Sequence, residues 1–131
     1  MPDTFASRFA GLLQKLKIWG LRQYYRLESA WTWRRDTASI PHIDMQVPVR
    51  DGTIGARLYV NALGAARPLI LYIHGGGWVI GDLRSHHPFC RALAHHSGCS
   101  VIALDYRRAP EHPFPAAQDD CLDAAGWVAQ H

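Results

Sequence analysis

The residues best placed to do chemistry are His74-Gly75-Gly76-Gly77-Trp78, which follow directly on the apolar run Pro68-Leu69-Ile70-Leu71-Tyr72-Ile73. A hydrophobic strand that opens into such a loop exposes backbone N–H groups at the end of a sheet. Glycine lets that backbone approach a ligand and adopt φ > 0 without steric cost. Donors fixed in that way suit the negative oxygen that develops when an ester carbonyl is attacked. An attacking group does not accompany them. No Gly-x-Ser-x-Gly occurs, and none of the serines (Ser7, Ser29, Ser39, Ser85, Ser97, Ser100) stands between a strand and a helix in that setting.

The elements that must position the loop can be read on either side of it. Leu69 to Ile73 is a continuous apolar strand of the kind buried on both faces of a parallel sheet. Ser85 is expected to cap a helix running to about Ser97, with Pro88 in its first turn and Phe89, Cys90, Leu93 and Ala94 facing inward. Gly98 ends it, and Ser100 to Leu104 forms a second buried strand. Ala116 to Gln130 reads as a helix with Cys121, Leu122, Ala125 and Val128 on its inner side, and Asp119, Asp120 and Asp123 as a solvated acidic first turn. Strand, helix, strand, helix in that order implies right-handed crossovers and a parallel sheet.

Upstream, Ile43–Val49 and Ile54–Val60 alternate around Arg50-Asp51-Gly52-Thr53, a hairpin signal. Asn61 to Arg67 is a Gly/Ala loop. From Thr4 to Trp33 the period is helical, with Phe5, Phe9, Leu12, Leu13 and Leu16 on one face and Gly20 as an expected break. That stripe is expected to pack on the rest of the protein. Contact with an anionic membrane surface through residues 1–35 is the lesser alternative. The aromatic group Trp19, Tyr24, Tyr25, Trp31 and Trp33 is dense enough to line an apolar pocket, and could equally be core.

Composition narrows the classes. The 131 residues are 48% hydrophobic and 19% charged, which fits one folded domain rather than a disordered chain. The net charge of +3 is uneven: residues 1–35 hold seven Lys/Arg against Asp3 and Glu28, and the remainder is slightly acidic. Basic character therefore belongs to the N-terminal segment, and no nucleic-acid partner is expected. Cys90, Cys99 and Cys121 form no CxxC pair and no even framework, and read as reduced thiols in a cytoplasmic protein. The pairs His86-His87 and His95-His96 have no Cys or carboxylate spacing that completes a metal site, so no metal is expected.

Two blocks carry a resemblance. His74-Gly-Gly-Gly-Trp-Val-Ile-Gly-Asp82 and Asp105-Tyr-Arg-Arg-Ala-Pro-Glu-His-Pro-Phe-Pro-Ala-Ala117, one helix and one strand apart, resemble the hormone-sensitive-lipase-like branch of the α/β-hydrolases. The clear match covers residues 68–131, and residues 41–67 are compatible with the two opening strands. The resemblance implies an α/β fold, here the N-terminal portion with about four of the family's eight strands in a mostly parallel sheet. It also implies a helical cap-like segment at residues 1–40 and an incomplete hydrolase domain at 41–131. The implied activity is hydrolysis of small carboxylic esters by a Ser–Asp–His triad without a cofactor. Gly76 and Gly77 then map to the oxyanion-hole donors, Gly75 shapes the turn, and Trp78 borders the acyl pocket. His74, Asp105, Tyr106, Arg107, Pro110 and Glu111 fall in structural positions. Arg108 replaces the family's usual leucine, with its stem expected on apolar surface and its head in water.

The family's nucleophile follows the next strand, so the triad is assigned to no residue of this chain. The expectation is the N-terminal part of an ester hydrolase, inactive alone and open to completion by a C-terminal chain. The alternative is a non-catalytic module that binds a small ligand or a partner.

Overall fold

The computed structural model describes residues 5–36, 39–61 and 68–131. The expected helix start at Thr4 and most of the Gly/Ala loop, residues 62–67, lie outside these. The elements in chain order are α1 (Phe5–Thr32), β1 (His42–Val49), β2 (Gly52–Tyr59), β3 (Leu69–Tyr72), α2 (His87–Ser97), β4 (Ser100–Asp105) and α3 (Ala116–Val128).

One four-stranded sheet runs in the order β1-β2-β4-β3. The hairpin reverses through Arg50 and Asp51, so that Val49 already pairs with Gly52. β2 joins β4 antiparallel, and only β3 with β4, joined through α2, is parallel, so these four strands form a mixed, mostly antiparallel sheet where a mostly parallel one was expected: the opening hairpin takes part in two of the three pairings. Residues two apart on a strand share a face, and that alternation builds two cores. Ile54 and Ala56 of β2, with Ile102 and Leu104 of β4, pack with Val47 and with Ala124 of α3. Tyr59, Val101 and Ala103, on the opposite face, pack with Cys90 and Ala94 of α2. β4 is therefore buried on both faces, as its apolar run implies. β3 carries an equally apolar run, yet Leu69 and the following Ile73 are nearly half exposed, because among the described residues β3 is an edge strand paired only with β4.

The helices depart from the sequence reading in instructive ways. α1 is continuous through Gly20. Its apolar stripe does not pack inward: Phe9, Leu12, Leu13, Leu16, Leu27 and Trp31 are between 42% and 70% exposed. The helix is held by its opposite, polar face, where Arg22, Arg26 and Ser29 bond to the body of the protein. α2 takes His86, not Ser85, as its N-cap, because the Ser85 side chain is already committed to Asp82. Gly98 closes the helix in the left-handed region. α3 presents Ala117, Asp120 and Ala124 inward and leaves Leu122 exposed. Asp120 is not solvated: it is fully buried and receives the Arg107 backbone N–H at 2.9 Å and the Arg107 guanidinium at 2.7–3.1 Å.

Candidate active site

The glycine loop leaves the carboxyl end of β3, beside the carboxyl end of β4, which is where open α/β sheets bind ligands. The three glycines are not equivalent. Gly75 has an ordinary φ and open space around it. Gly76 has φ +130°, and a Cβ there would overlap the Ile80 carbonyl, with Ile80 C at 2.7 Å and Cγ1 at 2.9 Å. Gly77 has φ +58° with nothing nearby. Gly81, which closes the loop, has φ +89°, and a Cβ would lie 2.5 Å from His74 Nδ1. Trp78 is the one non-glycine residue with positive φ among the described residues, at 59°, a conformation costing roughly 1–2 kcal/mol. Its indole stands half in solvent. Strain of this kind gathers at functional sites.

In a trans peptide the carbonyl of one residue and the N–H of the next lie in one plane and point in opposite directions. The loop's carbonyls are held, and that aims its N–H groups. Gly75 O lies 2.9 Å from His74 Nδ1, which donates to it. Gly76 O accepts from Val79 N–H at 3.1 Å and from Ile80 N–H at 3.0 Å. Trp78 O accepts from Ala109 N–H at 2.8 Å, Val79 O from Arg22 Nε at 2.8 Å, and Gly81 O from Arg108. The N–H groups of Gly76 and Gly77 point away from these tethers and meet no acceptor among the described residues.

His74 underlies the loop. Its ring stacks on Tyr106 at 4.2 Å and on His86 at 5.0 Å, and the Tyr106 hydroxyl donates to His74 O at 2.7 Å. Burial holds its pKa at about 4, so the ring is neutral at neutral pH. With Nδ1–H on Gly75 O, Nε2 carries a lone pair that is buried without a hydrogen bond. Burial also lowers the pKa of His86, whose Nε2 lies 3.2 Å from the Tyr25 hydroxyl of α1.

A charged cluster supports the end of the loop. Asp82 and Ser85 bond reciprocally, Asp82 N–H to Ser85 Oγ at 2.9 Å and Ser85 N–H to Asp82 Oδ1 at 2.8 Å. Arg26 grips Asp82 through Nε at 2.8 Å and through a second nitrogen. Burial pushes the Asp82 carboxyl up, but Arg26, the Ser85 N–H and Arg108 together bring it down to about 2. Arg108 does not send its head into water. It donates to Gly81 O and lies 3.8 Å from Asp82 and 3.4 Å from Asp105. Asp105, whose pKa burial raises, has its buried Oδ1 facing that guanidinium without a hydrogen bond.

The residues of the second block therefore divide. Tyr106, Arg108 and Ala109 reach the loop. Arg107 turns away and ties β4 to α3 through Asp120 and to the hairpin through Asp51 at 3.0 Å. Glu111 reaches α1: Arg22 holds both its oxygens, at 2.9 and 3.0 Å, and brings its pKa to about 2. Pro110 is exposed and follows a cis Ala109–Pro110 bond. Sequence reasoning missed Arg22 and Arg26 as site residues. Their signal was a pair of arginines four apart on the face opposite the apolar stripe. His86 and His87 diverge, His86 to the loop and His87 to the Tyr59 hydroxyl at 2.9 Å.

Residues 70–131 match the profile of a family described as the alpha/beta hydrolase fold. Over 88 residues the chain is 43% identical to carboxylic ester hydrolase LipN of Mycobacterium tuberculosis, covering 67% of this chain and 23% of that protein. The hyperthermophilic esterase from the archaeon Pyrobaculum calidifontis superposes with a TM-score of 0.81 at 39% identity, covering all of this chain and 43% of that one. The thermostable carboxylesterase EstE1, cloned from a metagenomic library, gives 0.78 at 37% identity, covering 86% and 39%. The chain thus spans between about a quarter and two fifths of the length of these relatives. Motifs, fold and relatives agree over the same stretch, and through it the chain belongs to the α/β-hydrolase fold family, in its hormone-sensitive-lipase-like branch.

Proposed function

We propose that this chain supplies the oxyanion-hole loop of a serine-dependent carboxylic ester hydrolase, with the N–H groups of Gly76 and Gly77 as donors to the developing oxyanion. The observation that carries this reading is the pair of unpartnered N–H groups, each aimed by the tethered carbonyl of its own peptide plane. Such donors need no reorganisation when charge appears, and losing one costs on the order of 3 to 4 kcal/mol of transition-state stabilisation. Gly75 shapes the entry to the loop, and the exposed Trp78 indole borders the acyl pocket. A serine attacks a small-molecule ester, the tetrahedral oxyanion rests on the two N–H groups and collapses with cleavage of the ester C–O bond and release of the alcohol, and water then hydrolyses the acyl-enzyme to the carboxylic acid and free serine. Serine, acid and histidine are supplied by sequence beyond the matched region of the fold, so the 131 residues alone are inactive.

In this reading residues 1–40 are the cap-like segment and 41–131 the incomplete catalytic domain. The open edge of β3 and the outward apolar face of α1 support completion by a C-terminal polypeptide. Those same surfaces favour the second reading, a non-catalytic partner-binding module. The free cysteines fit a cytoplasmic location, and no helix among the described residues is long and apolar enough to cross a membrane.

A hybrid tests the proposal: this chain replaces the equivalent N-terminal portion of the Pyrobaculum esterase, and hydrolysis of p-nitrophenyl acetate is followed. Hydrolysis lost on substitution of Gly76 supports it. A folded hybrid that binds but never cleaves the ester supports the partner-binding module.

A further inference from the structure

We propose that Arg22 of α1 is a positioning residue for the Gly77 donor, so that the seating of the N-terminal helix sets the geometry of the oxyanion loop. This rests on the oxyanion reading of Gly76 and Gly77. The connection runs through two peptide planes in series. Arg22 Nε donates to Val79 O at 2.8 Å, and the other end of that plane, Ile80 N–H, donates to Gly76 O at 3.0 Å. The other end of the Gly76 plane is the Gly77 N–H. A second arm starts from the same guanidinium. Arg22 Nη2 donates to Ala109 O at 3.0 Å, Ala109 N–H donates to Trp78 O at 2.8 Å, and Val79 N–H, opposite that carbonyl, reaches Gly76 O at 3.1 Å. Both arms converge on the one carbonyl whose plane carries the donor.

The fork geometry of arginine is what allows this. The bidentate pair with Glu111, at 2.9 and 3.0 Å, fixes the plane of the guanidinium, leaving Nε and Nη2 aimed at Val79 and Ala109. A lysine offers a compact charge on a flexible stem and cannot hold these acceptors at once. Hydrogen bonds in series also polarise one another, which strengthens the terminal donor. The exposed apolar face of α1 lies opposite Arg22, so a surface that presses on that face moves the helix that carries the tether.

The test is amide hydrogen exchange by NMR on the hybrid in which this chain replaces the equivalent portion of the Pyrobaculum esterase, reading Val79, Ile80 and Ala109 against Ile102 and Leu104 of β4. Arg22→Met should accelerate Ile80 and Ala109 by roughly tenfold or more while β4 is unchanged. Arg22→Lys should not restore protection. Glu111→Gln, which keeps the Val79 and Ala109 contacts but loosens the fork, should give a smaller rise at the same amides. Loop exchange unchanged in Arg22→Met, full protection in Arg22→Lys, or a rise shared equally by β4 would each overturn the proposal, as would an unsubstituted hybrid whose Ile80 amide is unprotected. Exchange reads loop geometry and not ester cleavage. Its failure leaves the oxyanion reading standing, and an active Gly76 variant of the hybrid removes that reading without touching the tether.

Discussion

Alanine placed singly at Gly75, Gly76 and Gly77 should produce three different outcomes. At Gly75 the backbone is ordinary and the space open, so the change falls within about ±0.5 kcal/mol. At Gly77 nothing is near, but φ is +58°, and a Cβ in that region costs roughly 1 to 2 kcal/mol. At Gly76 the new Cβ overlaps the Ile80 carbonyl, and Ile80 cannot retreat without releasing its own N–H from Gly76 O. Losing the Val79 and Ile80 bonds costs about 1 kcal/mol each, and strain at φ +130° adds about 1 to 3 more, for a total of about 3 to 5 kcal/mol. The assay is kcat/KM of the Pyrobaculum hybrid for p-nitrophenyl acetate beside its urea midpoint. Gly75→Ala should match the parent. Gly77→Ala should lose about tenfold, and Gly76→Ala about a hundredfold to a thousandfold as the donor is misplaced. Activity of Gly76→Ala equal to that of Gly75→Ala would refute the reasoning.

Other consequences are as concrete. Asp120→Ala strands the Arg107 guanidinium beside a buried vacancy and should cost about 3 kcal/mol, the low end for a broken buried pair because Arg107 is a quarter exposed; a urea melt reads it. Arg108→Leu leaves Gly81 O without its donor and Asp105 without its cation, and should destabilise by about 1 to 3 kcal/mol, whereas an unchanged melt would return Arg108 to the surface role its sequence position implied. The His74 pKa, lowered by burial to about 4 from the usual 6.5, means that the unfolded chain binds the extra proton between those values; His74 should contribute about 3 kcal/mol to the loss of stability as the pH drops from above 6.5 to 4, and His74→Asn should reduce that slope without abolishing it, because burial lowers the pKa of His86 and His87 too. The open β3 edge and the outward face of α1 leave large apolar side chains uncovered, at about 1.5 to 3 kcal/mol each, so sedimentation of the isolated chain should show self-association, and a sharply melting monomer would contradict this.

Much of the framework was legible because its signals are local. The apolar run into three glycines located β3 and the loop, Gly98 marked the end of α2, and Asp51-Gly52 sat at the hairpin. What escaped depended on partners distant in sequence. Asp120 looks like one more acid in a solvated helical turn, and only Arg107, thirteen residues upstream, makes its burial tolerable. The period of α1 identified its apolar stripe correctly but not which face meets the protein, because docking is by Arg22, Arg26 and Ser29 to residues more than fifty positions away. Three identical letters at 75–77 hide three conformations, which neighbouring carbonyls set. Arg108 reads as an exposed exception to a family pattern until Gly81 and Asp105 are seen on either side of it.

The most direct test of the central claim is a crystal structure of the hybrid esterase inactivated by a phosphonate ester, whose tetrahedral oxygen stands where the oxyanion would form. The account predicts that oxygen at about 2.7 to 3.1 Å from the nitrogens of both Gly76 and Gly77, with Arg22 still on Val79. A phosphonyl oxygen held by other donors, with the two glycine N–H groups turned away, would contradict it.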